Sequence, residues 1–300
     1  MNQGVDFVGG RSYVVRFEQP VSQEKIQSNL IKVLGNAEVK TFGSDNQLKI
    51  TTNYKVDIDS SDIDDEINNI LYSDLIEFMP ENIAYEDFVV NGDENKQAGI
   101  MSSIKVGPTI ADDIKKNSFY AVFGSLIIVF LYILLRFKNW QFSLGAVSAV
   151  FHDVLVVLGI FSLTYSFMPF NMEINQAFIA AVLTVIGYSL NDTVVVFDRI
   201  REYRNINTSW ELPRVVDSAL NSTLSRTLNT SFTTLVVLIS IFVFGGESIR
   251  GFMFALIVGV LIGTYSSVFV ATPVMYDCLL YTSDAADDTP CVDLGGRRII

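Results

Sequence analysis

Cysteine is nearly missing from this 300-residue sequence, and both copies, Cys278 and Cys291, fall near the C-terminus. Residues 1–277 can therefore use neither disulfides nor thiol chemistry. Histidine occurs once, as His152, and a lone histidine cannot build a metal site. No G-x-x-x-x-G-K-[ST], H-E-x-x-H or G-x-S-x-G is present, which excludes the nucleotide and hydrolase sites those motifs build. Any work must then draw on an ion gradient. Basic residues are scarce, with 21 Lys and Arg against 33 Asp and Glu. Residues 1–117 hold 20 of the acidic residues and 11 of the basic ones, a net charge of −9. Such a surface suits neither nucleic acid nor an anionic lipid face.

Apolar residues are abundant: half of the chain is hydrophobic. They gather after Phe119 in five blocks, about 118–135, 142–163, 177–197, 227–244 and 251–271. Their lengths read as transmembrane helices in a polytopic α-helical bundle across a lipid bilayer. Arg136, Lys138, Arg199, Arg201, Arg204, Arg214 and Arg226 lie on one side, while the opposite loops hold only Arg250. The positive-inside rule makes the first side cytoplasmic and puts residues 1–117 on the extracytoplasmic side. Met1-Asn-Gln3 cannot carry that domain across a membrane, so a further span is expected upstream. From Cys278 the chain reads CLLYTSDAADDTPCVDLGGRRII, which looks like translated sequencing adapter. Residues 278–300 are expected to be a non-native tail.

Residues 1–117 read as an α+β domain. Ser12–Phe17, Ala37–Phe42, Gln47–Tyr54 and Ser102–Val106 have strand composition, with a hairpin turn at Gly43–Asn46. Ser22-Gln-Glu-Lys25 resembles a capping box opening a helix with Ile26, Leu30, Ile31 and Leu34 as its apolar stripe, and Gly35-Asn36 stops it. Ser60–Tyr72 is a second helix, and Met79–Lys96 a loop. The order β-α-β-β-α-β predicts a ferredoxin-like arrangement.

Polar residues inside the apolar blocks are the candidate site. A carboxylate in a span costs about 2.5–3.5 kcal/mol on insertion scales, so it faces protein or a hydrated cavity. Asp192 is such a residue. Antiparallel neighbours joined by a cytoplasmic loop can bring Arg226 to a similar depth. Burial disfavours a charged carboxylate and a nearby arginine favours it; a group balanced between the two can load and release a proton. The alternative is a fixed ion pair that orders the bundle. Tyr188 and Asn191 flank Asp192. Ser222, Arg226, Asn229, Thr230 and Thr233 recur at helical spacing, as a hydrated path or as ordinary interhelical hydrogen bonding. His152-Asp153 is a second intramembrane polar site, a relay or a packing element. Asp198, Arg199, Arg201 and Glu202 can pair at i,i+3, and Gly259-Val-Leu-Ile-Gly263 permits close helix packing.

Gly4-Val-Asp-Phe-Val-Gly-Gly10 resembles the glycine-pair signature of the SecF family. Val185–Glu202, Leu224-Ser-Arg-Thr-Leu-Asn-Thr-Ser231 and Phe151-His-Asp-Val154 are similar to its spans, in the correct order over residues 4–277. The resemblance is to SecF, or to the SecF half of a fused SecDF, in the resistance-nodulation-division superfamily. It implies an accessory subunit of Sec-dependent export, not an enzyme, in the bacterial cytoplasmic membrane. Proton or sodium entry would drive late polypeptide translocation, with no other cofactor. The implied partners are SecD, separate or fused, the SecYEG channel, YidC and the unfolded polypeptide. The family's ion-transport residues fall on Asp192 and Arg226. Asp6, Gly9 and Gly10 form a structural motif at the base of the outer domain. Two rivals are an ion-driven small-molecule or lipid exporter of the same superfamily, which the compact outer domain argues against, and an intramembrane aspartyl protease using Asp153 and Asp192, which lacks a G-x-G-D element.

Overall fold

Alternation in the N-terminal segments is resolved as a four-stranded sheet in the computed structural model, which describes residues 3–58, 61–80, 83–90, 96–165, 167, 168 and 170–287. Ser60, part of the Met79–Lys96 loop and the tail from residue 288 lie outside the described residues. A short helix α1 (Val5–Val8) leads into β1 (Gly10–Arg16), α2 (Gln23–Leu34), β2 (Glu38–Phe42), β3 (Ser44–Thr52), α3 (Ser61–Leu75), α4 (Tyr85–Val89) and β4 (Gly99–Val106). The strand order is β2-β3-β1-β4, every pair antiparallel. This is the ferredoxin-like topology foreseen from the element order.

Register follows burial. Tyr13 faces Ile50 and Val15 faces Leu48 across β1 and β3. These side chains pack with Phe17, Val39 and Ile100 against Ile26, Leu30 and Leu34 of α2 and Ile67, Leu71 and Leu75 of α3. Three local features differ from the sequence reading. Ser22 is the N-cap of α2 by backbone geometry but makes no side-chain cap bond, so the capping box does not form. The β2–β3 turn tightens onto Gly43, at φ 85°, with Phe42 opposite Ser44. The Met79–Lys96 loop contains α4, which exists because it inserts the fully buried Phe88 into the core.

Among the described residues, five helices follow that are long and apolar enough to cross a membrane. They are α5 (Pro108–Phe137), α6 (Trp140–Thr164), α7 (Gln176–Ile206), α8 (Leu212–Phe244) and α9 (Glu247–Ser266). The last continues through a π-helical turn at Ser267–Ala271 into α10 (Thr272–Asp287). Helix α5 starts ten residues ahead of its apolar block. Proline suits the first helical position, and its opening turns carry Asp112, Asp113, Lys115 and Lys116, which hydropathy does not detect. Helix α10 likewise runs past Cys278, into the segment that the sequence sets apart.

The chain divides into two units. One holds the N-terminal domain with Leu155–Thr184 and Thr234–Gly259. Its apolar contacts include Phe161 on Phe178 and Phe170 on Phe242 and Phe254. The other holds Ser125–Val154, Val185–Thr233 and the chain from Val260 onward. Here Phe137, Phe142 and Phe197 stack edge and face, with Val196, Ile200, Ala219 and Met275 around them.

Candidate functional site

Helix α7 carries the candidate carboxylate, and its N-terminus is held from two directions. Asn175 Oδ1 accepts the Phe178 N–H at 2.9 Å, and Asp6 Oδ2 accepts the Gln176 N–H at 3.0 Å. These side chains satisfy donors that a helix start leaves open. Asp6 is thus a cap supplied from the N-terminal segment. Around it, the Gly4 N–H donates to Ile174 O at 2.9 Å, and Lys49 Nζ pairs with Glu173 Oε2 at 2.5 Å. Gly9 and Gly10 have φ of 77° and 134°, and a Cβ on Gly10 would meet Thr52 O at 2.5 Å. Only glycine lets β1 pass so close to the end of β3.

Further along α7, Asp192 is buried, 3% exposed. Its Oδ2 lies 3.5 Å from Ser231 Oγ on α8, at the outer limit for an O–H···O bond. Ser231 Oγ is closer to Thr264 Oγ1 of α9, at 2.6 Å, and accepts from Tyr188 OH at 3.4 Å. Asp192 is therefore buried with one long hydroxyl contact. Arg226 stands exposed on α8, and no ion pair within 4.0 Å joins it to Asp192 among the described residues.

The polar stripe on α8 has the foreseen period but lies on the outward side. Ser222, Arg226, Asn229, Thr230 and Thr233 are exposed, as is Asn191 on α7. The buried stripe is Ala219, Thr223, Thr227 and Ser231, one residue on. A helix turns about 100° per residue, so this offset separates the bundle-facing side from the outward one. Thr230 and Thr233 hydroxyls bond back to carbonyls of their own helix. Thr227 Oγ1 is buried without a partner.

Asp153 is fully buried in α6. Its Oδ2 accepts from Ser189 Oγ of α7 at 2.6 Å and from Ser266 Oγ of α9 at 2.8 Å. His152 Nδ1 lies 3.2 Å from Oδ1, with its ring about one-third exposed. Gly263 makes the convergence possible: a Cβ there would come within 2.9 Å of Ser189 Cβ. Ser189, Ser231, Thr264 and Ser266 were not singled out in the sequence. The available signal was hydroxyls set in otherwise apolar spans. At the arginine-rich end of α7, Asp198 accepts a bond from Arg136 at 2.9 Å and forms an ion pair with Arg201 at 3.2 Å, while Arg199 donates to Glu202 at 2.7 Å. Among the described residues, no group of three or more His, Cys, Asp or Glu side chains is placed to hold a metal.

Two family models match. The family of protein export membrane protein SecD/SecF, C-terminal, covers residues 88–280, and the SecD/SecF GG motif covers residues 1–21. The chain is 45% identical over 275 residues to protein translocase subunit SecF of Rhodothermus marinus, covering 91% of this chain and 82% of the relative. It is 37% identical over 273 residues to the SecF of Vibrio alginolyticus, covering 91% and 78%. Protein translocase subunit SecDF of Brucella abortus matches at 45% over 170 residues, 57% of this chain and 22% of that protein. Among solved structures, the crystal structure of SecDF from Thermus thermophilus superposes with a TM-score of 0.72 at 29% identity, over 94% of this chain and 34% of that one.

Proposed function

The chain belongs to the SecD/SecF family of protein-export membrane proteins, and from that membership we propose that it is an accessory subunit of the Sec translocon that couples ion entry to polypeptide export. It sits in the cytoplasmic membrane as a multi-pass protein. The family consists of translocase subunits, and the chain itself makes and breaks no covalent bonds. SecD is its partner, as fused SecDF relatives support. SecYEG, YidC and an unfolded polypeptide complete the assembly, with residues 1–117 on the outer side.

The observation that carries this reading is Asp192. A carboxylate in a span has two low-cost states: neutral with its ion bound, or charged beside a cation. A fixed ion pair would hold it in one. Asp192 instead has a long hydroxyl contact and, among the described residues, no lysine or arginine within 4.0 Å, so its charge can change. Entry of one charge down a 100 mV potential supplies about 2.3 kcal/mol, comparable to the cost of exposing that carboxylate to the span. Arg226 serves the charged state. An arginine on the outward face of a span does not face lipid, so the partner covers it and can bring it to Asp192 or withdraw it. Asp192 carries the ion, and Tyr188, Ser231 and Thr264 line its approach.

The test is export into membrane vesicles, with and without an imposed ion gradient, on complexes quantified for assembly. Asp192→Asn is nearly isosteric and is expected to abolish the gradient-dependent increment while leaving assembly intact. Retention of the full increment would make Asp192 a structural polar residue.

A further inference from the structure

The Asp153 cluster is a buried carboxylate that the coupling step above does not use. Three helices converge on it, and all its close partners except His152 are oxygen atoms. Each serine hydroxyl has one hydrogen to give. Ser266 Oγ lies 2.8 Å from Asp153 Oδ2 and 3.2 Å from the Gly263 carbonyl, and it cannot satisfy both. The cluster thus holds more acceptors than hydrogens. Immediately after Ser266 the helix widens into the π turn Ser267–Ala271, where Thr272 Oγ1 bonds Ser267 O at 3.0 Å. Single π turns inside helices are frequent at functional sites. No lysine or arginine within 4.0 Å neutralises Asp153 among the described residues.

We propose that Asp153, Ser189 and Ser266 form a second cation site, distinct from Asp192, that binds one monovalent cation on Asp153 Oδ2. A hard, all-oxygen donor set suits a proton or a sodium ion and not a soft transition metal. His152, partly exposed and in contact with Oδ1, is the side from which the ion arrives. The titratable neighbours are His152 on α6, Tyr265 on α9, with its ring centroid 6.5 Å from that of His152, and Asp192, three residues beyond Ser189 on α7.

The site is tested on the membrane-embedded complex with dicyclohexylcarbodiimide, which modifies protonated carboxyl groups in apolar surroundings, followed by peptide mass mapping. Infrared difference spectra of the same titration, with Asp153→Asn as the reference, read the group without depending on reagent access. A proton site is expected to lose labelling roughly tenfold per pH unit above its midpoint, with sodium and choline salts equivalent. A sodium site is expected to be protected by sodium, and not by choline, at fixed pH. Ser189→Ala/Ser266→Ala should shift the midpoint or abolish the protection. Asp192→Asn should leave the Asp153 response unchanged, which separates this site from the coupling carboxylate. A carboxyl group at Asp153 that stays ionised, or stays protonated, through the whole titration by both readouts overturns the proposal. So does loss of its response in Asp192→Asn.

Discussion

Carboxylates in the N-terminal domain and carboxylates in the helices are stabilised by different means. In the domain, Asp64 and Glu66 are met by cations. Asp64 accepts from Arg11 Nε at 2.5 Å and Lys105 Nζ at 2.9 Å, Glu66 from Lys55 at 2.6 Å, and Lys49 pairs with Glu173 of the α6–α7 loop. In the helices, Asp153 and Asp192 meet serine hydroxyls, with His152 beside Asp153, and among the described residues no lysine or arginine lies within 4.0 Å of either. A cation fixes a carboxylate in its charged form. A hydroxyl can donate to the charged form or accept from the protonated one, so it serves both. The first arrangement builds a rigid scaffold. The second leaves a buried group free to change charge.

The sharpest way to break this comparison is to remove a cation from the domain. Lys49 and Glu173 side chains are 14% and 5% exposed. Lys49→Met leaves a buried carboxylate uncompensated, with an expected loss of about 3–5 kcal/mol. Lys49→Met/Glu173→Leu removes both charges and should recover most of that loss, because the pair's desolvation cost goes with it. Thermal unfolding of the detergent-solubilised chain, followed by resistance to proteolysis within the Tyr165–Gln176 segment, measures both variants. A double variant as unstable as the single one would mean that Lys49 contributes packing and not charge.

Removing a hydroxyl from the helices should cost less. Ser266→Ala deletes one of three groups around Asp153, and hydrogen bonds between membrane helices contribute about 0.6 kcal/mol on average and up to about 1.7. The same unfolding assay should place Ser266→Ala well above Lys49→Met in stability. A loss as large as that of the lysine variant would make the Asp153 cluster a scaffold like those of the domain.

The N-terminal domain was legible in the sequence because period-two alternation and turn residues encode it locally; α4 was missed because its five residues show no period and form only where Phe88 finds the core. The apolar blocks were equally plain, though α5 and α10 extend beyond them through residues that hydropathy scores as polar or anomalous. Asp153 and Asp192 stood out as charges in apolar runs. Their partners did not. Ser189, Ser231 and Ser266 lie on helices far apart in sequence, and a lone serine in a span carries no sign of what it meets. The polar stripe on α8 shows the same limit: its spacing was correct, but the side turned to the bundle is decided by Ala219 and Val215 packing, one residue round.

The smallest effect belongs to Asp64. Burial pushes its carboxyl up, but the bonds from Lys105 and Arg11 outweigh burial and hold it below the usual carboxylate range. A lowered folded value means that the charged form stabilises the domain. That contribution is complete above the unfolded value of about 3.9 and is lost as pH falls through the lower folded value. Asp64 is 37% exposed, so solvent screens much of it, and about 0.5 kcal/mol is expected. In Asp64→Asn the amide oxygen still accepts from Arg11, while the bond from Lys105 is lost together with the charge, because the amide nitrogen is a donor. The difference in stability between the parent chain and Asp64→Asn should therefore be constant near neutrality, shrink below about pH 4, and shrink at any pH as salt is added. Unfolding midpoints taken across that range decide it. A difference that ignores both pH and salt would show that Arg11 needs an acceptor and not a charge, and the contrast between domain and helix carboxylates would then rest on Lys49 and Glu173.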